Sequence, residues 1–284
     1  MYLFYFLPAL GWGLMPVIAS LTKAKPINQL LGTTMMALVC GTLILFFVQP
    51  ELNRTIVVVT FLSGCLWSIG QYLQFRSFQL MAVSEAMPIS NGSQLIGTTL
   101  VAVVFFQEWQ GVSAFIIGGS GIILILLGIV CTSFNKRQYQ QKATGDFKKA
   151  LFYLLLSSSA LVFYVTLPKL FSISGIAVIF PQSIGMFIGS LFFAWIEKEQ
   201  IDPIDIIKNW PTGIFWSVAN ISLFLIIPLL GVAKSFTFSQ LAVLVSIFGG
   251  LYFLKGKKNI NELRLIILGS VLITLGILLV GAIK

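Results

Sequence analysis

Gly64-Cys65-Leu66-Trp67-Ser68-Ile69-Gly70-Gln71 returns 149 positions later as Gly213-Ile214-Phe215-Trp216-Ser217-Val218-Ala219-Asn220. Ser93-Gln94-Leu95 follows the first copy and Ser239-Gln240-Leu241 the second. Farther on, a Gly-x6-Gly spacing occurs as Gly121/Gly128 and again as Gly269/Gly276. Self-similarity at one long period marks a duplicated structural unit. Both copies are embedded in apolar sequence, which points to a duplicated membrane bundle.

Composition excludes the soluble alternatives. Hydrophobic residues make up 57% of the chain and charged residues 10%, with a mean hydropathy of +0.97. A soluble domain carries about 25% charged residues. The apolar stretches recur at the roughly 20 residues that a bilayer core demands. The net charge of +9 is scattered over short loops. Such scatter is the juxtamembrane pattern of Lys and Arg and argues against a nucleic-acid partner. Cys40, Cys65 and Cys131 fall inside spans without metal-like spacing, and the chain has no histidine. Imidazole metal sites, Ser-His triads and histidine proton relays are thereby removed. With no nucleophile–base pair or metal cluster in view, neither an enzyme nor a cofactor is expected.

Ten spans are expected, near 2–21, 29–48, 55–77, 82–106, 112–134, 149–168, 173–196, 206–230, 233–254 and 263–283. The first is read as a retained helix, because no basic segment precedes it and no small-residue cleavage site follows. Residues 1–134 then form a first five-helix repeat, 135–148 a basic cytoplasmic linker, and 149–284 a second five-helix repeat. Fourteen of the 18 Lys and Arg residues fall in the odd-numbered loops. Those loops are expected to be cytoplasmic, with both termini outside. Five is an odd number, so the two repeats must have inverted topology. That arrangement suits a secondary transporter with its site at the repeat interface.

Polar groups are costly in lipid and should face the bundle interior. Gln71 and Gln74 lie in span three, and Glu85, Ser90, Asn91, Ser93 and Gln94 in span four. Asn220 lies in span eight, and Lys234, Ser235, Thr237, Ser239 and Gln240 in span nine. Amides donate and accept together, which matches sugar hydroxyls. Gln71, Asn91, Gln94, Asn220 and Gln240 are therefore candidates for substrate binding, with Trp12, Trp67 and Trp216 to cover the apolar face of a sugar ring. Any one amide can instead bond a neighbouring helix, and either repeated tryptophan can simply pack. An anionic substrate would call for a mid-span Arg or Lys facing the cavity, and no mid-span Arg is found. Trp109 and Trp210 read as interfacial belt residues. Pro88 is expected to bend or break the start of span four.

Glu85 and Lys234 occupy equivalent positions of the two copies. In an inverted pair they lie near opposite membrane faces, which disfavours a salt bridge between them. Glu85 can simply complement a helix N-terminus. Without histidine, though, a proton-driven carrier must use a carboxylate, and Glu85 is the one well inside a span.

Several longer stretches resemble the bacterial glucose/ribose porter family, a branch of the drug/metabolite transporter superfamily. They are Pro8-Ala9-Leu10-Gly11-Trp12-Gly13, the segment from Lys25 to Thr34, Ser84-Glu85-Ala86-Met87-Pro88-Ile89-Ser90, Gln94-Leu95-Ile96-Gly97-Thr98-Thr99 and Phe180-Pro181-Gln182-Ser183-Ile184-Gly185-Met186. The resemblance runs along nearly the whole chain. It implies ten helices in two five-helix repeats and sugar uptake driven by a proton gradient, with glucose first and ribose second. The first repeat's fourth helix ends in Phe106-Gln107-Glu108 where relatives often have Gly-Glu, and the second ends in Leu254-Lys255-Gly256 with no carboxylate. A carboxylate role at both symmetric ends is therefore not carried over. The expected partners are a small neutral sugar, protons and the lipid bilayer of a bacterial cell membrane. The competing reading is an exporter of a small drug-like molecule or metabolite, which an aromatic cavity without converging amides would favour.

Overall fold

The computed structural model describes residues 2–133, 145–173, 175–198, 200–254 and 259–283. A 3-10 turn over Tyr2–Phe6 leads into α1 (Leu7–Thr22), followed by α2 (Pro26–Val48), α3 (Arg54–Phe78), α4 (Val83–Val104) and α5 (Gly111–Ser133). The second half comprises α6 (Gly145–Leu170), a 3-10 turn at Gly175–Val178, α7 (Ile179–Glu197), α8 (Pro203–Lys208) and α9 (Trp210–Leu230). It ends with α10 (Val232–Ser239), α11 (Ala242–Phe253) and α12 (Ile260–Gly281). There is no strand among the described residues. Of the expected linker, positions 135–144 lie outside the described residues, and 145–148 form the first turn of α6.

The chain sets these boundaries with ordinary end signals. Pro26 opens α2 at a position whose N–H needs no partner. Asn53 caps α3 by accepting from Ile56 N–H at 2.8 Å. Asn259 and Glu262 form a reciprocal capping box at α12, with bonds of 2.9 and 3.0 Å. Nine segments among the described residues are long and apolar enough to cross a membrane. The remaining expected span, α4, fourth in order, has the length but carries Ser84, Glu85, Ser90, Asn91, Ser93 and Gln94. Its polarity is affordable only inside the bundle, between α5, α6 and α11.

The packing has the exchange symmetry of the sequence. Helix α3 lies against α6 and α7, and its counterpart α9 lies against α1 and α2. In the same way α4 meets α6, α11 meets α1, and α5 pairs with α12. Gly64 on α3 sits over the Gln182 carbonyl of α7, where no Cβ would fit; Gly213 on α9 sits likewise over the Thr33 carbonyl of α2. Positions 33 and 182 stand 149 apart, as do 64 and 213. Along α5 and α12, Gly121 faces Gly276 and Gly128 faces Gly269, each over the other's carbonyl. That reversed order makes the two fifth helices antiparallel. The whole pattern is consistent with an inverted duplication.

Of the bend or break expected at Pro88, the break does not occur, and the expected continuity of span nine is corrected. Helix α4 runs unbroken from Val83 to Val104 with Pro88 inside it. Span nine, expected as one helix, is interrupted at Gln240–Leu241 without any proline. There, Ser239 Oγ donates to the Phe236 carbonyl at 2.6 Å and Gln240 Nε2 to the same carbonyl at 3.3 Å. Side chains thus take the acceptor that the Gln240 N–H would use in a regular helix, and that N–H turns to the Thr237 carbonyl at 3.0 Å. Trp109 is also corrected: it is buried, edge-on to Phe115 with centroids 5.9 Å apart, and does not sit in an interfacial belt.

Candidate functional site

A cavity of about 50 Å³ lies at the centre of the bundle, among α1, α3, α4, α6 and the broken α10–α11 pair. Its lining obeys the repeat. Trp12 and Leu161, Met15 and Tyr164, and Met87 and Phe236 all line it, each pair separated by 149 positions, and so do Gln94 and Gln240 of the repeated Ser-Gln-Leu. The cavity therefore sits where equivalent residues of the two halves converge.

The polar wall is a directed chain. Gln71 Nε2 donates to Gln74 Oε1 at 2.9 Å, and Gln74 Nε2 donates to Ser90 Oγ at 2.9 Å. From the other side, Gln94 Nε2 donates to the same Ser90 Oγ at 3.0 Å. Each bond uses one of an amide's two N–H groups, and of the three amide oxygens these bonds engage only that of Gln74 as an acceptor. Among the described residues, nothing donates to Gln71 Oε1 or Gln94 Oε1. Gln240 Oε1, fully buried at the helix break, is also without a donor. Asn91 faces the cavity with its side chain unbonded among the described residues. No charged side chain is part of the lining. The site thus offers several neutral acceptors. Opposite them stand Trp12 and Phe236, with ring centroids 6.2 Å apart and planes tilted by 54°.

A second polar network lies just behind this wall and closes on itself. Tyr164 OH donates to Asn220 Oδ1, and Asn220 Nδ2 donates to Gln182 Oε1 at 2.6 Å. Gln182 Nε2 donates to Ser63 Oγ at 2.7 Å, and Ser63 Oγ donates to the Tyr164 carbonyl at 2.7 Å. The ring ties α6, α9, α7 and α3 together with each donor matched to an acceptor. Only Tyr164 reaches the cavity.

Of the residues singled out from sequence, Trp12, Gln71, Asn91, Gln94 and Gln240 come together around the cavity. Trp67, Trp216 and Asn220 do not line it. The two tryptophans meet edge to face at 5.5 Å, fully enclosed where α3 and α9 approach. Asn220 is held in the closed ring. Glu85 is buried in the first turn of α4, six residues before Asn91 and outside the lining. Sequence reasoning passed over Met15, Met87, Leu161, Tyr164 and Phe236. The signal for Leu161 was available, since it is the repeat partner of Trp12, and Tyr164 carried no mark beyond its place in an apolar span.

A family model described as sugar transport protein matches residues 3–283. A Listeria innocua protein named for sugar uptake is 42% identical over 283 residues, spanning 100% of this chain and 99% of its own length. The glucose uptake protein GlcU of Bacillus subtilis is 38% identical over 281 residues, covering 98% of this chain and 96% of that protein. One crystal structure superposes with a TM-score of 0.68 at 12% identity, covering 98% of this chain and 96% of its own. At that identity the likeness speaks for the fold alone.

Proposed function

The chain belongs to the sugar transport protein family, and from that premise we propose that it imports a neutral monosaccharide, glucose first and ribose second, through the central cavity. As a multi-pass membrane protein it would do so by alternating access of two inverted halves, in a bacterial cell membrane with both termini outside. The observation that carries this reading is the lining: unengaged oxygens of Gln71, Gln94 and Gln240 beside Asn91, and no charge. Each oxygen accepts a bond from a sugar hydroxyl, and Asn91 both donates and accepts. The ring of Trp12 covers the C–H face of the sugar. A phosphorylated sugar would need a cation that the wall does not provide. The converging amides likewise count against an exporter of apolar drug-like solutes.

The cavity is also small. A water molecule needs roughly 10–15 Å³ of such space, so about 50 Å³ holds only a few waters. A hexose requires a wall to move, as alternating access demands. Proton coupling is assigned to Glu85, the buried carboxylate nearest the polar chain along α4. The test is counterflow in proteoliposomes with a panel of labelled sugars, with and without an imposed pH gradient. Glucose exchange is expected in both conditions and accumulation only with the gradient. Sugar exchange no greater than in empty liposomes refutes the reading.

A further inference from the structure

Glu108 does more than end a helix. Its carboxylate accepts from Val232 N–H at 2.8 Å and from Ala233 N–H at 2.7 Å, the first two residues of α10. Lys169 Nζ, at the end of α6, lies 2.7 Å from the same carboxylate. One side chain from the first half thus holds two separate elements of the second. The surroundings are shaped for this contact. Gln107, a non-glycine residue, has a left-handed φ of +51°, and that turn presents Glu108 to α10. Gly231, with φ of +82°, leaves the space that the carboxylate fills; a Cβ there would stand 2.9 Å from Oε2. Lys169 is steadied by the Phe106 ring, whose centroid is 4.9 Å away.

Helix α10 is the element best suited to move. It has only eight residues, and its far end is the break at Gln240–Leu241. Between the clamp and the break it carries Phe236 and Ser239 into the cavity wall. We propose that Glu108 is a positioning residue of the transport cycle: it clamps α10 across the half-to-half interface, and its release lets α10 swing about the break and open the cavity toward the Glu108 face. The carboxylate touches no sugar and acts through α10. At the equivalent turn of the second half, the sequence has Lys255-Gly256-Lys257 and no carboxylate, so this clamp belongs to one face only.

The proposal rests on the transport reading, but its test needs no sugar. In a background with Cys40, Cys65 and Cys131 changed to serine, Asn91→Cys places one thiol in the cavity on α4, clear of the bonds that form the break. A membrane-impermeant maleimide is then applied separately to each face, using vesicles of both orientations. Glu108→Gln keeps the shape but loses the ion pair and turns an N–H group toward a backbone donor. It is expected to raise labelling from the Glu108 face about tenfold, the change corresponding to one charge-assisted hydrogen bond, and to lower labelling from the opposite face. Gly231→Ala, which crowds the carboxylate without altering charge, should shift both rates in the same directions. Lys169→Met, which spares both backbone bonds, should do so more weakly. Labelling unchanged from both faces in Glu108→Gln and Gly231→Ala overturns the proposal. An equal rise from both faces also overturns it, because that signals general loosening.

Discussion

Replacing Asn220 with alanine cuts the buried ring behind the cavity at two bonds. Tyr164 OH loses its acceptor and Gln182 Oε1 loses its donor. Both groups are buried, and neither has another bond among the described residues. An orphaned buried acceptor costs about 1–3 kcal/mol in soluble proteins. Interhelical bonds within membranes measure lower, with an average near 0.6 and a maximum of about 1.7 kcal/mol. Asn220→Ala should therefore lower the unfolding free energy by about 1–2 kcal/mol, two interhelical bonds at the membrane weight. Sugar affinity should change less than threefold, because Asn220 does not line the cavity. Gln71 holds the equivalent position of the first copy and does line it. Gln71→Ala also costs a bond, because Gln74 Oε1 loses its donor, so stability should fall by about 1 kcal/mol, but here affinity should weaken about tenfold as well, equivalent to one hydrogen bond of roughly 1.4 kcal/mol. Denaturant unfolding in detergent and concentration-dependent counterflow measure both quantities on the same preparations. A variant Asn220→Ala that unfolds like the parent but binds sugar tenfold more weakly would refute the division of roles.

Gln240→Met removes a buried oxygen without a partner, but also the long bond from Nε2 to the Phe236 carbonyl, so stability should change by less than about 1 kcal/mol while the half-saturating sugar concentration rises about tenfold. Unaltered saturation would show that this oxygen meets no hydroxyl. Gly128→Leu forces a side chain into the Gly269 carbonyl and should separate α5 from α12, lowering the yield of monodisperse protein sharply; a normal yield would mean the close approach is dispensable. Glu85→Gln should abolish accumulation driven by a pH gradient while retaining counterflow, and gradient-driven accumulation at parental rates would free Glu85 from the coupling role.

The spans were legible because bilayer thickness imposes length and apolarity, two properties that a sequence states directly. Even α4, too polar to pass a hydropathy threshold, was legible as the repeat partner of the span that holds Gln240. The continuity of these two helices was not. Pro88 forfeits one N–H, yet it lies near the helix start, where packing against α6 and α11 keeps the backbone helical. The break at Gln240 arises from competition for a single carbonyl by side chains that are equally at home in a regular helix. Nothing in their identity favours one outcome over the other. Site residues divided along a similar line. Amides stood out against an apolar background, so Gln71, Asn91, Gln94 and Gln240 could be named as candidates, and all four line the cavity. Which amides would face inward depended on what their neighbours offered. Asn220 met a tyrosine hydroxyl and a glutamine, and was enclosed.

That difference between Gln71 and Asn220 bears on how the halves divide the work. In the second half, α9 is pinned to α6 and α7 through the closed ring, and the tryptophan pair fixes it to α3. The next helix of that half is broken and held at its free end by Glu108. In the first half, α4 is continuous, and its polar face is braced by Gln74 and Gln94 meeting on Ser90. On the proposed reading, a braced wall thus faces a hinged one across the cavity. If the two halves had kept identical sequences, both walls would bend or neither would, and each conformation would have a mirror of equal energy. Divergence at the equivalent pairs Gln71/Asn220 and Glu85/Lys234 removes that degeneracy. On the proposed alternating-access reading, the energy difference between the two access states is then set by groups present in only one half, which is where substitutions should shift the balance between them.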